Sequence, residues 1–281
     1  MKKRTIFAAV FAALFLLSVV TGCGSKASSD QRVVKVGVNG DEIDLWTIVQ
    51  KKLDADNIKV ELIKFNDYVQ PNKALHDGEI DLNVFQTITY MNQFKRDHQL
   101  DIVAIGSTAI APMGVYSKKH KQLSEIPDGA TITIPNDVTN SIRALKLLQS
   151  ANLIKLKPNY DPRGGIEQIA ENPKNLIIEP VTAGHTARTL DDAAAAVINN
   201  GIAVQAKLDP AKDPLYKEDP NDVAAKPYIN VIAARTKDKD NQDFAKIVQA
   251  VQSKEVQQYR IDRDKGAVIP VNVPIEDIQD L

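Results

Sequence analysis

The side chains of this sequence that could do chemistry are few, and most stand alone. The four histidines, His76, His98, His120 and His185, are scattered and lack the short spacings of metal sites. Cys23 is the only cysteine, so no disulfide can close within the chain. No Gly-x-Ser-x-Gly elbow and no zinc-protease helix motif occurs. These absences argue against a hydrolase and against a metal-capturing protein. What remains is amide, arginine and aromatic chemistry beside structural breaks. Asn140 and Arg143 follow the turn Pro135-Asn136-Asp137, Asn199 ends the apolar run that begins at Ala194, and Asn230 lies within another, Tyr228 to Ala234. A lone asparagine is usually a turn or cap residue, and an arginine on an amphipathic helix is usually a solvated charge. Amides within apolar strands, however, need partners. An arginine in the first turns of a helix can act with the helix amides on a carboxylate.

The elements that must position these residues follow from hydrophobic periodicity. Val33 to Val38 reads as a buried strand, Asp44 to Leu53 as an amphipathic helix and Ile58 to Phe65 as an alternating strand. Pro71 and Gly78 mark the start and end of a short helix. Asp81 to Phe85 is predicted as a strand, Tyr90 to His98 as a helix and Asp101 to Ile105 as a strand. This rhythm predicts a mostly parallel sheet with helices on both faces. A second unit repeats it. Ala130 to Ile134 is a strand, a helix capped near Thr139 runs to about Leu153, and Leu176 to Val181 is a strand. Ala194 to Ile198 could be helix by alanine content or a buried strand between turns; the strand is preferred. Asp209 to Asp222, rich in Pro, Asp and Lys, reads as a surface loop. Tyr228 to Ala234 returns to the first unit, and a long helix from about Asn241 to Tyr259 packs there. The expected fold class is therefore α/β with two lobes: residues 33–112 plus 232–281, and residues 113–231. A ligand cleft would lie between them, outside the carboxyl ends of the strands.

The N-terminus is a targeting segment rather than part of the body. Lys2, Lys3 and Arg4 precede an uncharged run from Ile6 to Val20, about 15 residues long and short of the ~20 that span a bilayer. The run stops at Val20-Thr21-Gly22-Cys23, which resembles a lipobox. The resemblance implies a signal peptide over 1–22, cleavage before Cys23, acylation of its sulfur, and a flexible tether over 23–32 on the extracytoplasmic face of the membrane. About 259 residues then remain, with 32 basic against 36 acidic side chains and a net charge of −4. That balance offers nothing to nucleic acid.

Several short stretches together resemble one family. They are Phe65-Asn66-Asp67-Tyr68, Phe85-Gln86, Tyr116-Ser117-Lys118-Lys119, Pro135-Asn136-Asp137 with Asn140 and Arg143, Arg188-Thr189-Leu190-Asp191-Asp192, Val197-Ile198-Asn199 and Pro227-Tyr228-Ile229-Asn230. In this order the chain is similar to the methionine-binding lipoproteins of the NlpA type over nearly its whole mature length. The resemblance implies a two-lobed periplasmic-binding-protein fold, type II-like. It also implies a buried amino-acid site, methionine favoured, and a monomer without cofactor or metal that delivers its ligand to an ABC permease and ATPase. In that reading Arg143 takes the ligand carboxylate, Asn140, Asn199 and Asn230 serve its charged ends, and Tyr68, Phe85 and Tyr90 wall the side-chain pocket. Tyr228 and Thr87 complete the site. Two departures stand out. Thr87 replaces the histidine of the family's Phe-Gln-His pattern, and His185-Thr186-Ala187 replaces a Gln-Leu-Pro run. Loss of the imidazole would open volume and shift preference toward another amino acid, a dipeptide or the D-isomer. His185 reads as a solvated loop residue. A structural or adhesive lipoprotein is the remaining alternative, distinguished by a lack of ligand-induced stabilisation.

Overall fold

In the computed structural model, which describes residues 31–40 and 43–281, the body begins with β1 (Arg32–Asn39). The signal segment 1–22, Cys23 and the tether to residue 30 lie outside the described residues. Val34, Val36 and Val38 of β1 are buried, as the apolar run requires. Helix α1 (Ile43–Leu53) lays Leu45, Trp46, Val49 and Leu53 on the same core, with Asp44 in its first turn and Lys51 and Lys52 in its last, each complementing the helix dipole. β2 (Ile58–Phe65) pairs parallel to β1. α2 (Gln70–Asp77) has Pro71 in its first turn and ends at Gly78, whose φ of 81° is the left-handed cap that glycine adopts without strain. β3 (Leu82–Thr87), α3 (Ile88–His98) and β4 (Ile102–Ile110) complete the first passage.

The second lobe is built from β5 (Gly114–Tyr116), β6 (Thr131–Pro135), α4 (Val138–Ser150), β7 (Lys155–Leu156), β8 (Ile169–Glu171), β9 (Ile177–Val181), β10 (Ala195–Ile198), α5 (Asn200–Gln205) and β11 (Tyr216–Lys217). Its five-stranded sheet has the order β11-β5-β10-β6-β9, and α4 buries Ile142, Leu145 and Leu148 against it. The alanine-rich run at 194–198 is thus a strand, and all four residues of β10 are buried. The chain then returns to the first sheet as β12 (Ile229–Arg235), followed by α6 (Gln242–Val251), α7 (Lys254–Asp264) and β13 (Ile269–Pro270). The six-stranded order is β13-β4-β12-β3-β1-β2, so the returning strand inserts between β3 and β4 and runs antiparallel to both.

Four sequence expectations change in detail. Each sheet is mixed rather than simply parallel, because β12 in one and β5 in the other run against their neighbours. The whole of β12, from Ile229, belongs to the first sheet, so the second crossing falls before 229 and not at 231/232. The helix expected over 241–259 is two helices; Ser253 is extended, with φ −64° and ψ 148°, and restarts the chain as an N-cap. The helix expected to reach Leu153 stops at Ser150, followed by Asn152 at φ 57°. Its cap is Asp137, a neighbour two residues before Thr139, as the sequence allows.

Candidate functional site

The N-terminus of α4 sets the polar half of the site. The Asp137 carboxylate accepts from the Asn140 backbone N–H at 2.9 Å and from the Thr139 hydroxyl at 3.2 Å. It also accepts from Asn140 Nδ2, at 3.0 and 3.1 Å to its two oxygens. An ionised carboxylate can only accept, so the Asn140 amide must turn its nitrogen toward Asp137. Its Oδ1 then faces Asn199 and accepts from Asn199 Nδ2 at 2.8 Å. By the same logic Asn199 Oδ1 points onward, and it is buried without a partner among the described residues. The relay therefore presents one acceptor of fixed direction. Burial raises the carboxyl of Asp137 above its ordinary range, and the hydrogen bonds from Asn140 and Thr139 restrain that rise.

Arg143 stands one turn further along α4 and is buried. The resemblance implies that Arg143 takes a ligand carboxylate, but the Nε–Nη2 fork that could grip one in two places is occupied by Glu218. Arg143 Nε donates to Glu218 Oε1 at 2.7 Å and Nη2 donates to Oε2 at 2.5 Å. Nη2 also donates to the Ala111 carbonyl at 3.0 Å. Nη1 has no hydrogen-bond partner among the described residues, and Arg143 lines the cavity. Burial lowers the guanidinium pKa and Glu218 more than offsets it, so the cation is held above its usual value. Tyr228 does not line the cavity; its ring lies 4.1 Å from the guanidinium carbon and supports it as a cation–π platform. Glu218 escaped the sequence reading because it lies in the stretch 209–222, read as loop. The one available signal was that a buried arginine needs a counter-ion, and sequence alone does not say which.

The apolar half is a trio of rings. Tyr68 and Phe85 centroids are 5.8 Å apart, Tyr68 and Tyr90 6.0 Å, and Phe85 and Tyr90 6.2 Å, the last two edge-on. The Tyr90 hydroxyl donates to the Tyr68 carbonyl at 2.8 Å, fixing the loop that carries Tyr68. Burial raises the phenol pKa of both tyrosines, so they stay neutral. Beneath the rings a buried amide cluster locks α2 to β3. Asn72 and Gln86 exchange two hydrogen bonds at 2.7 Å, and Asn83 Nδ2 donates to Asn72 Oδ1 at 2.9 Å. Thr87 lines the cavity and also caps α3, its hydroxyl accepting from the Tyr90 N–H at 3.2 Å. Asn230 sits at a register shift in the β12–β4 pairing, a bulge that re-aims its side chain; Nδ2 donates to the Ala109 carbonyl at 3.2 Å.

These groups converge on one cavity of about 410 Å³ between the lobes, which Tyr68, Phe85, Thr87, Tyr90, Asn140, Arg143, Asn199 and Asn230 all line. That volume is within the ~300–1,000 Å³ typical of small-molecule sites. Asn39 and Asn200, not anticipated from sequence, also line it, and Asn39 Oδ1 and Asn200 Nδ2 are buried without partners among the described residues. His185 is exposed, in a one-turn helix outside the cavity lining. Among the described residues no cluster of His, Cys, Asp or Glu could hold a metal, and no helix is long and apolar enough to cross a membrane.

Two α/β lobes joined by two crossings, with a return strand inserted in the first sheet and a polar-aromatic cavity between them, define the type II-like periplasmic-binding-protein fold. The NlpA lipoprotein family matches residues 34–272, and the chain belongs to that family. Among its relatives, the D-methionine-binding lipoprotein MetQ of Escherichia coli K12 is 44% identical over 258 residues, covering 90% of this chain and 93% of that protein. The crystal structure of protein PG110 from Staphylococcus aureus superposes with a TM-score of 0.85 at 44% identity, covering 88% of this chain and 97% of that one. A nutrient-binding protein from Burkholderia cenocepacia, solved bound to methionine, gives 0.79 at 41% identity over 84% and 99% of the two chains.

Proposed function

We propose that this chain is the lipid-anchored receptor of an ABC importer and that it captures a free amino acid, methionine foremost. The observation that carries the reading is the Asp137–Asn140–Asn199 relay. It leaves Asn199 Oδ1 as an unpartnered buried acceptor in the same cavity as the open Nη1 edge of Arg143. A zwitterion matches that pair: its ammonium donates to Asn199 Oδ1 and its carboxylate accepts from Arg143 Nη1. Tyr68, Phe85 and Tyr90 then enclose the side chain. A thioether gains ~0.3–1.5 kcal/mol for each sulfur–aromatic contact, which favours methionine over an aliphatic residue of equal size. The methionine carried by the Burkholderia cenocepacia relative supports the same choice.

In this reading the chain performs no catalysis. It acts as a monomer whose lobes, 33–112 with 232–281 and 113–231 apart from the shift at β12, close on the ligand and present it to the permease. The acylated Cys23 and the tether hold the receptor near that permease at a raised effective concentration, and the ATPase supplies the energy. The test is mass spectrometry of ligand released by denaturing the purified protein, backed by calorimetry against an amino-acid panel. Recovery of methionine supports the reading. Recovery of another amino acid keeps the transport role and moves specificity to Thr87. A protein that carries nothing and responds to no member of the panel is not an amino-acid receptor.

A further inference from the structure

Glu218 is a largely buried charge that makes no contact with the ligand in the binding reading. Its side chain is 16% exposed and that of Arg143 4%, so the ion pair is largely withdrawn from water. Glu218 also ties together the two crossings between the lobes. Its carboxylate accepts from the Met113 N–H at 2.8 Å, and its own N–H donates to the Met113 carbonyl at 3.0 Å. Arg143 in turn donates to Ala111 on the same first crossing. The guanidinium is thus clamped through Nε and Nη2, while Nη1 has no partner among the described residues and Arg143 lines the cavity.

We infer that Glu218 is a positioning residue that aims Arg143 and, by cancelling its charge, makes the site select zwitterions over simple anions. This rests on the amino-acid reading above and deepens it. A buried, uncompensated arginine would bind any small carboxylate. With Glu218 bonded to the opposite edge, an anion meets an ion pair of no net charge, and the carboxylate contact alone contributes little. Useful affinity then requires the second contact, ammonium to Asn199 Oδ1. On the same helix Lys146, one turn beyond Arg143, lies 5.4 Å from the Tyr160 ring centroid rather than in an ion pair with Glu218.

The experiment compares methionine with 4-(methylthio)butanoate, which has the same thioether chain and carboxylate but no ammonium, by calorimetry on the full chain and two variants. The wild type should prefer methionine by about tenfold to hundredfold or more, the range expected for a hydrogen bond to a charged group. In Glu218→Gln, which keeps the shape and removes the charge, that preference should shrink by at least about tenfold as the anion gains. Glu218→Asp keeps the charge but shortens the reach; it should weaken both ligands about equally, by roughly tenfold, and leave the preference intact. An unchanged preference in Glu218→Gln overturns the charge argument. Wild-type affinities in Glu218→Asp overturn the positioning argument, even if Glu218→Gln fails to fold. A wild type that binds neither compound removes the amino-acid reading and this inference with it.

Discussion

Replacing Asn199 by alanine removes an acceptor that no group among the described residues uses, so its effect should fall on ligand and not on fold. Affinity for methionine should drop about tenfold to hundredfold by calorimetry, the loss of one charge-assisted hydrogen bond. The unliganded melting point should move little, since the lost Asn140 contact is set against relief of the buried orphan oxygen. Arg143→Ala behaves differently. It strands the Glu218 carboxylate in a buried position, and a broken buried pair costs ~3–5 kcal/mol. Denaturant unfolding should show that loss, and the double variant with Glu218→Ala should recover part of it. Recovery would identify the stranded charge, rather than lost packing on Tyr228, as the cause. Much of this chemistry was legible in the sequence. Arg143 and Asn140 follow a turn that opens a helix, and Asn199 ends an apolar strand, where an amide needs a partner. Glu218 was not legible, because it meets Arg143 across 75 positions of sequence, through a fold that had first to bring the two crossings together.

Elements carry the next tier. Thr87 stands where the Phe-Gln-His resemblance would place a histidine, and its hydroxyl also caps α3. Thr87→Ala should cost ~1 kcal/mol of stability, whereas Thr87→Ser should be nearly neutral. Thr87→His trades the cap for an imidazole. If it reorders ligand preference, calorimetry must read that change in the presence of a lower melting point. α4 offers a pH test through its cap. The Asp137 pKa is raised in the folded protein, so its contribution to stability is fully present below the ordinary carboxylate value. It is lost as pH rises through the raised value. Relative to Asp137→Asn, the wild type should therefore lose stability over that rise, as matched denaturation curves at stepped pH would show. Asparagine at 137 can also donate, so it no longer dictates which way Asn140 turns, and ligand affinity should fall as well. Periodicity found most helices and strands here. It did not place the break at Ser253, although the apolar face of α6, with Phe244, Ile247 and Val251, gives way there to Lys254 and Glu255, and α7 buries Val256 and Arg260 instead.

At the scale of the molecule, Gly184 and Tyr68 mark two of the places where the lobes meet. A Cβ built on Gly184 would lie 3.3 Å from the Asn66 carbonyl oxygen across the cleft, so only glycine allows this approach without displacement. Gly184→Val should hold the lobes apart, lowering methionine affinity chiefly through faster release, measured by stopped-flow. Tyr68 belongs to the first lobe, yet it packs on the second lobe's apolar cluster of Tyr116, Leu190, Ile198 and Ile202. Ligand at a hundredfold excess over its dissociation constant should add ~2.7 kcal/mol to stability, a rise of several degrees in melting temperature.

The relay from Asp137 has a consequence for handedness. If Arg143 Nη1 and Asn199 Oδ1 pin the two charged ends of an amino acid, mirror-image ligands share those two anchors and differ only in where the side chain and the α-hydrogen point. Discrimination between them then falls to the third attachment, the rings of Tyr68, Phe85 and Tyr90. Aromatic faces and edges hold a flexible thioether without demanding one direction of approach. A receptor built this way admits both enantiomers of methionine, and its chirality is set by the shape of an apolar wall rather than by its polar contacts.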